Sequence, residues 1–162
     1  MNYHNITTHD MKNGDGLRVV LWVAGCLHNC KNCQNPVTWD PNSGLEFDEN
    51  AEQELIDKLS KDYISGLTLS GGDPLYPDNE ERITALTCKI KDIFPNKTIW
   101  LYTGYSYEEI KDKPVMQYID VVVDGKYIDA QRDIKLKWRG SQNQRVIDVK
   151  ASVNDQLVLH CD

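Results

Sequence analysis

The sequence lacks any long apolar run. None of its hydrophobic stretches approaches the roughly 20 residues that a membrane-spanning helix needs, so we expect no membrane insertion. Positive charge is also scarce, because 18 Lys and Arg face 25 Asp and Glu and leave a formal net charge of −7. Nucleic-acid-binding domains usually present a basic face, so the composition disfavours that class. The N-terminal stretch has no basic segment followed by an apolar one, which predicts a cytoplasmic protein without a secretion signal.

Internal repeats, low-complexity tracts and linkers are absent as well, and the 162 residues predict a single domain over 1–162. Short β-branched apolar segments alternate with segments of helical periodicity. Such alternation is typical of βαβ units and predicts an α/β fold with a mostly parallel sheet. The predicted strands are 18–24, 66–70, 98–103, 118–123, 144–149 and 156–160, and the predicted helices are 49–62, 79–94 and 107–112.

Unusual residues follow each of the first four predicted strands. In α/β sheets, ligands bind beyond the carboxyl ends of the strands, so we expect these residues to meet at one edge. Each group taken alone is also consistent with an ordinary turn, because Gly, Asp and Pro are common turn residues. The four groups in chain order are three cysteines, Gly71-Gly72-Asp73-Pro74, Thr103-Gly104-Tyr105 and Asp124-Gly125-Lys126.

The chain has five cysteines, of which Cys26, Cys30 and Cys33 form a C-x3-C-x2-C cluster directly after the first strand. Disulfides rarely persist in a reducing cytosol, where clustered cysteines more often bind metal or carry out redox chemistry. A polar loop surrounds the three thiols, which argues against a role as buried packing residues. A metal centre is therefore the favoured interpretation.

Two kinds of metal centre fit three clustered thiols. A structural zinc site usually has four protein ligands, commonly from two C-x2-C pairs, but this chain has one such pair and would need His28, His4 or His9 as the fourth ligand. A 4Fe–4S cluster takes thiolate ligands, and three cysteines would leave one iron open. An open metal position is typical of a reactive centre.

Cys88 serves as an internal comparison. The predicted helix 79–94 carries an apolar stripe at Ile83, Leu86, Ile90 and Ile93. At 100° per residue, Cys88 falls opposite this stripe, so we expect it on the outer face and outside the metal centre.

Four motifs together resemble the radical S-adenosylmethionine (SAM) superfamily and, within it, the activators of anaerobic ribonucleotide reductase. The motifs are GCLHNCKNCQNPVTW, LSGGDPL, VVVDGKY and RGSQNQRVID, and the resemblance as a whole extends from about Asp15 to Asp148. The superfamily usually has an aromatic residue immediately before the third cysteine. This chain has Asn32 there, and the reductase activators tolerate a small residue at that place.

The resemblance implies a small, open partial (βα) barrel of mostly parallel strands. It also implies that Cys26, Cys30 and Cys33 hold a 4Fe–4S cluster whose fourth iron is chelated by SAM. Glycine allows a backbone to approach a ligand closely, and a carboxylate such as Asp73 can bond to the SAM ammonium. The SAM contacts implied are Asn32, Cys33, Gln34, Gly71, Gly72, Asp73 and Asp124.

The implied reaction is reductive cleavage of SAM to a 5′-deoxyadenosyl radical. This radical would take a hydrogen atom from a glycine of the large subunit of anaerobic ribonucleoside-triphosphate reductase, with a flavodoxin or ferredoxin as the electron donor. Two alternatives remain open from the residues. The chain could activate another glycyl-radical enzyme of the pyruvate formate-lyase type, or it could be a non-catalytic zinc-binding interaction module.

Overall fold

The structure, a computed structural model, describes residues 1–161 and shows seven strands and three α-helices in that part of the chain. The first five predicted strands and all three predicted helices are present, each with bounds within three residues of those expected. The strands are β1 (Asn2–Asp10), β2 (Arg18–Val23), β3 (Leu45–Glu46), β4 (Gly66–Gly71), β5 (Thr98–Tyr102), β6 (Val121–Asp124) and β7 (Arg145–Asp148), and the helices are α1 (Glu49–Leu59), α2 (Glu80–Ile93) and α3 (Tyr107–Ile110).

The strands form one mixed sheet in the order β3-β1-β2-β4-β5-β6-β7. The four central strands β2, β4, β5 and β6 run parallel to one another. Antiparallel strands complete both edges, with β1 and β3 beyond β2 and with β7 beyond β6. Because the central strands are parallel, the loops after β2, β4, β5 and β6 all leave the sheet at the same edge.

Two strand expectations differ from the structure. The prediction of a strand at 156–160 is wrong, because that segment makes only isolated bridges, between Ile147 and Leu159 and between Val153 and Gln156. Strand β1 was not predicted, because its residues are mostly polar and only Ile6 among them is fully buried. Its pairing partner, rather than its own composition, makes it a strand.

The sheet buries two different faces. Alternate strand residues such as Leu21, Leu69 and Leu101 point toward α1 and α2 and form the main core. Residues one position along point to the opposite face, where Trp100 and Val123 form a smaller cluster beneath the loop that precedes β7. Within residues 1–161, no helix is long and apolar enough to cross a membrane.

Helix α2 follows the predicted pattern with one exception. Ile83, Leu86 and Ile90 are fully buried, whereas Ile93, the last residue of the apolar stripe, lies in the last turn and is 44% exposed. Cys88 is half-buried on this helix.

A buried arginine links the amino-terminal ends of three parallel strands, β2, β4 and β5. Arg18 is fully buried at the start of β2, and its guanidinium donates to the Thr68 hydroxyl and to the carbonyl oxygens of Asp15, Leu67 and Thr98, with a further bond to the Thr98 hydroxyl. Burial lowers the pKa of Arg18 to about 10. This network fixes the spacing of β2, β4 and β5 at the edge away from the loops.

Candidate metal centre

Loops from the carboxyl ends of β2, β4, β5 and β6 surround a cleft of about 810 Å³. This volume lies within the roughly 300–1,000 Å³ that is usual for small-molecule sites. The predicted site residues that line the cleft are Cys26, Cys30, Cys33, Gln34, Gly71 and Gly72. The parallel sheet thus brings together residues that are up to 46 positions apart in the chain, from Cys26 to Gly72.

The cysteine loop, residues 25–35, turns sharply at two asparagines. Asn29 and Asn32 have φ angles of 50° and 55°, in the left-handed region that Asn tolerates better than a bulky residue. The Cys33 amide donates to the Cys30 carbonyl oxygen at 3.1 Å, which closes the turn between these thiols. The backbone conformation at position 32 therefore suits Asn better than a bulky side chain.

Two of the three clustered thiols, Cys26 and Cys30, are less acidic than an ordinary cysteine because their pKa is raised. Burial raises the pKa of Cys26 to about 11 and also raises the pKa of Cys30. Iron binds the thiolate form, so loading this loop with iron would release protons. Among residues 1–161, no three His, Cys, Asp or Glu side chains converge on a point that could hold one metal ion. The thiolates of a 4Fe–4S cluster bind different irons, so they need not converge in this way.

A histidine ties the cysteine loop to the loop after β4. The Nε2 atom of His28 lies 2.6 Å from Oδ2 of Asp73, and the two side chains are only 7% and 2% exposed. The His28 ring also packs edge-on against Tyr105, with ring centroids 4.7 Å apart. A Cβ atom at Gly104 would come within 2.4 Å of this ring, so glycine is required there. His28 was not among the predicted site residues, although its place between two clustered cysteines was a usable signal.

Asp73 joins three loops through its carboxylate. Besides His28, it accepts hydrogen bonds from the Thr103 hydroxyl and the Gly104 amide of the loop after β5. It also accepts from the Leu75 amide of its own turn. The predicted contact of Asp73 with SAM stays a prediction. Asp73 is buried, is not among the residues that line the cleft, and has protein donors on both carboxylate oxygens.

The glycines beside Asp73 lie closer to the cleft. Gly71 and Gly72 both line it, and the Gly72 amide donates to the Val23 carbonyl oxygen at 2.8 Å. A Cβ atom at Gly72 would lie 2.4 Å from the Gly25 carbonyl oxygen. The backbone of the glycine turn is thus pressed against the start of the cysteine loop, as a close-packed ligand site requires.

Two other predicted SAM contacts have side-chain partners outside the cleft. Asn32 donates to Oδ2 of Asp129 at 2.7 Å, which fastens the cysteine loop to the loop after β6. Asp124 is buried and accepts from the Arg145 guanidinium and from the Tyr107 amide. Hydrogen bonds to Asp124 and Glu108 raise the pKa of Arg145. Arg145 therefore holds the end of β6 to α3, a role that its sequence context did not indicate.

Several residues that line the cleft were not predicted from the sequence. Aromatic side chains line it from several elements, and a segment between β6 and β7 forms one side. Neither Cys88 nor Cys161 is among the lining residues. The additional lining residues with aromatic or cationic side chains are Lys12, Trp22, Trp39, Tyr102, Tyr127, Arg132, Lys137, Trp138 and Arg139.

Comparison with known proteins agrees with a cluster in this cleft. The profile of a protein family described as "4Fe-4S single cluster domain" matches residues 12–147. The match covers the cysteine loop, all four central strands and most of β7. This chain is thus a member of that iron–sulfur family.

Closer relatives define a narrower group. An anaerobic ribonucleoside-triphosphate reductase-activating protein of Enterobacteria phage T4 is 51% identical over 146 residues, which are 90% of this chain and 93% of the relative. Proteins with the same description from Vibrio cholerae and Escherichia coli are 45% and 43% identical, over 89% and 90% of this chain and over 96% and 97% of their own lengths. The chain belongs to the family of anaerobic ribonucleoside-triphosphate reductase-activating proteins. The resemblance to reductase activators is confirmed.

Proposed function

We propose that this chain is a radical SAM enzyme that activates an anaerobic ribonucleoside-triphosphate reductase. The observation that carries the proposal is the cleft itself, in which three closely spaced thiols face a glycine turn at the open edge of parallel strands. Membership of a 4Fe–4S family and the description of the relatives support the cluster and the partner. Under this proposal, the mixed sheet with its four parallel central strands is a small, open partial (βα) barrel.

The residues present fit a cluster with one open iron. Cys26, Cys30 and Cys33 are partly exposed toward the cleft and would each hold one iron. When bound, a reduced cluster supplies one electron to SAM, whose cleavage yields methionine and a 5′-deoxyadenosyl radical that takes hydrogen from a glycine of the reductase. The resulting glycyl radical belongs to the partner's large subunit.

The chain's own groups bind and orient the reactants. Backbone carbonyl oxygens of the Gly71-Gly72 turn would accept hydrogen bonds from the ammonium of SAM, since the Gly72 amide is already bonded to Val23, and the backbone beside Cys33 at Asn32 and Gln34 would contact the adenine. Aromatic side chains on the cleft walls exclude water from the reacting atoms, which limits loss of a radical to solvent. A flavodoxin or ferredoxin is the proposed electron donor.

The decisive experiment is anaerobic reconstitution followed by EPR spectroscopy. Iron and sulfide are counted, the protein is reduced with dithionite, and spectra are recorded with and without SAM. We expect about four irons per chain and a cluster signal that changes on addition of SAM. Addition of the reductase large subunit should then produce a glycyl-radical signal on that subunit.

Each alternative has a distinct outcome. Zinc in place of iron, or a cluster whose signal ignores SAM, would favour the zinc-binding interaction module. SAM cleavage that yields a glycyl radical on a pyruvate formate-lyase-type enzyme but not on the reductase would favour the other activase. The Cys88→Ala variant is the control, because Cys88 is outside the cleft walls and should leave iron content and spectra unchanged.

A further inference from the structure

Two exposed segments flank the mouth of the cleft and are called here the basic lips. The first lip is Met11–Lys12, which follows β1, and the second is 132–137, between β6 and β7. Each lip carries a large apolar side chain that is strongly exposed, with Met11 71% and Ile134 85% accessible. A single exposed hydrophobic residue is ordinary, but here one stands on each side of a reactive cleft.

The lips are positively charged although the chain as a whole is negative. The charged residues that line the cleft are four cations (Lys12, Arg132, Lys137 and Arg139) and one carboxylate (Asp133), which sum to +3. The whole chain carries a formal charge of −7. Lys12, Arg132 and the neighbouring Lys135 are all exposed. A local excess of cations thus lies at the opening of the cleft that contains the three thiols.

Such a charge distribution selects for a partner of opposite sign at the lips. The net charge of −7 disfavours general association of an acidic segment with this protein, whereas the cations at the cleft mouth attract such a segment and favour its arrival at the site. Part of the cationic set is already engaged within the chain, since the Lys137 ammonium lies 4.3 Å from the Trp138 ring centroid and Arg139 donates to backbone carbonyls. Lys12, Arg132 and Lys135 are therefore the cations best placed to meet a partner.

We propose that the basic lips dock an acidic, extended segment of the reductase large subunit and guide its target glycine into the cleft. This inference rests on the proposed function, because the glycine must reach the cluster through this mouth. Ile134 and Met11 contact apolar groups of the segment, while Lys12, Arg132 and Lys135 set its direction and speed its association.

The test compares two charge reversals of equal size. The lip variant is Lys12→Glu/Lys135→Glu, and the control is Lys58→Glu/Lys61→Glu at the end of α1, on the helical face of the sheet. Affinity for the purified reductase large subunit is measured anaerobically by calorimetry at low and high salt. We expect the lip variant to bind about tenfold more weakly at low salt, with a smaller difference at high salt, while the control changes little.

A third variant, Ile134→Ala, probes the apolar contact. This variant should weaken binding to the reductase, and the fold loss should be the same at low and at high salt, since salt does not screen an apolar contact. SAM cleavage driven by dithionite in the absence of reductase is followed in parallel. That reaction reports on the proposed function alone, whereas calorimetry reports on docking alone, so a failure of one is separable from a failure of the other.

Three results would overturn the docking proposal. The lip and control variants could bind the reductase equally well, or the lip variant could lose uncoupled SAM cleavage together with binding, which would mean damage to the site. Alternatively, the lip variant could bind the reductase normally but lose activity only when flavodoxin replaces dithionite, and the lips would then serve the electron donor.

Discussion

Replacement of His28 by alanine should loosen the cysteine loop without unfolding the protein. His28 is the side chain through which this loop bonds to Asp73, at 2.6 Å, and Asp73 in turn bonds to the loop after β5. The variant leaves the buried Asp73 carboxylate with its bonds to Thr103, Gly104 and Leu75 but without its link to the cysteines. The cysteine loop would then be held on this side by backbone contacts alone.

The size of the effect follows from the burial of the pair. A hydrogen bond to a charged group contributes about 1.5–3 kcal/mol, and loss of the ring against Tyr105 adds to this cost. We therefore expect the free energy of unfolding of the reduced apoprotein to fall by about 2–3 kcal/mol, out of the roughly 5–15 kcal/mol of a typical domain. For a chain of this size, that loss lowers the thermal midpoint by roughly 4–12 °C.

The assay pairs denaturant unfolding of the apoprotein with iron retention and EPR of the reconstituted protein. His4→Ala is the matched control, because the His4 ring also bonds to a side chain (Ser43, at 2.8 Å) but lies at the far edge of the sheet. We expect reconstituted His28→Ala to retain less iron than the wild type, and His28→Gln to recover part of that loss, since its amide can still donate to Asp73. If His28→Ala retained iron as well as His4→Ala does and kept the wild-type spectrum, His28 would have no positioning role.

Three further predictions follow from the structure. Alanine at any one of the three clustered cysteines should abolish SAM cleavage, whereas Cys88→Ala should not; iron content measured on the same samples shows whether cluster loss is the cause. Gly104→Ala should destabilise the protein by about 1–3 kcal/mol and release iron much as His28→Ala does, because its methyl group overlaps the His28 ring; unchanged unfolding would contradict this. Burial raises the pKa of Asp120, but hydrogen bonds from Lys150, Lys91 and the Ile99 amide more than offset it, so the pKa lies below its ordinary value of 3.8. The stability that Asp120 contributes is thus present above that value and is lost as the pH falls below it. The free energy of unfolding, measured between pH 5 and 2, should therefore fall less steeply with decreasing pH in Asp120→Asn than in the wild type.

The arrangement of the site was predictable where local pattern and parallel topology suffice. Short apolar runs identified β2, β4, β5 and β6, and parallel strands must deliver their loops to one edge. Strand β1 escaped prediction because its pairing with β2, not its polar sequence, stabilises it. Segment 156–160 was predicted as a strand from its apolar residues, but in the structure it makes only isolated bridges.

Side-chain roles at the site were less predictable, because they depend on partners distant in sequence. His28 and Asp73 are 45 positions apart, and Asn32 and Asp129 are 97 apart. The spacing of the cysteines marks the loop but carries no information on what holds it. The basic lips were hidden for a similar reason, since a net charge of −7 masks a local excess of cations.

The Asp73 carboxylate already has several hydrogen-bond donors, and this limits how it could bind SAM. A carboxylate offers about four lone-pair sites, and Asp73 already receives donors from His28, Thr103, Gly104 and Leu75. A SAM ammonium could bond to it only by displacing one of these donors, at the cost of leaving that donor unpaired in a buried place. The Gly72 amide already donates to the Val23 carbonyl oxygen, but an ammonium needs acceptors, and a backbone carbonyl oxygen of the turn can accept from it without displacing a donor. Binding of the methionine end by backbone groups, with Asp73 holding three loops in register behind them, is therefore the arrangement that this geometry favours.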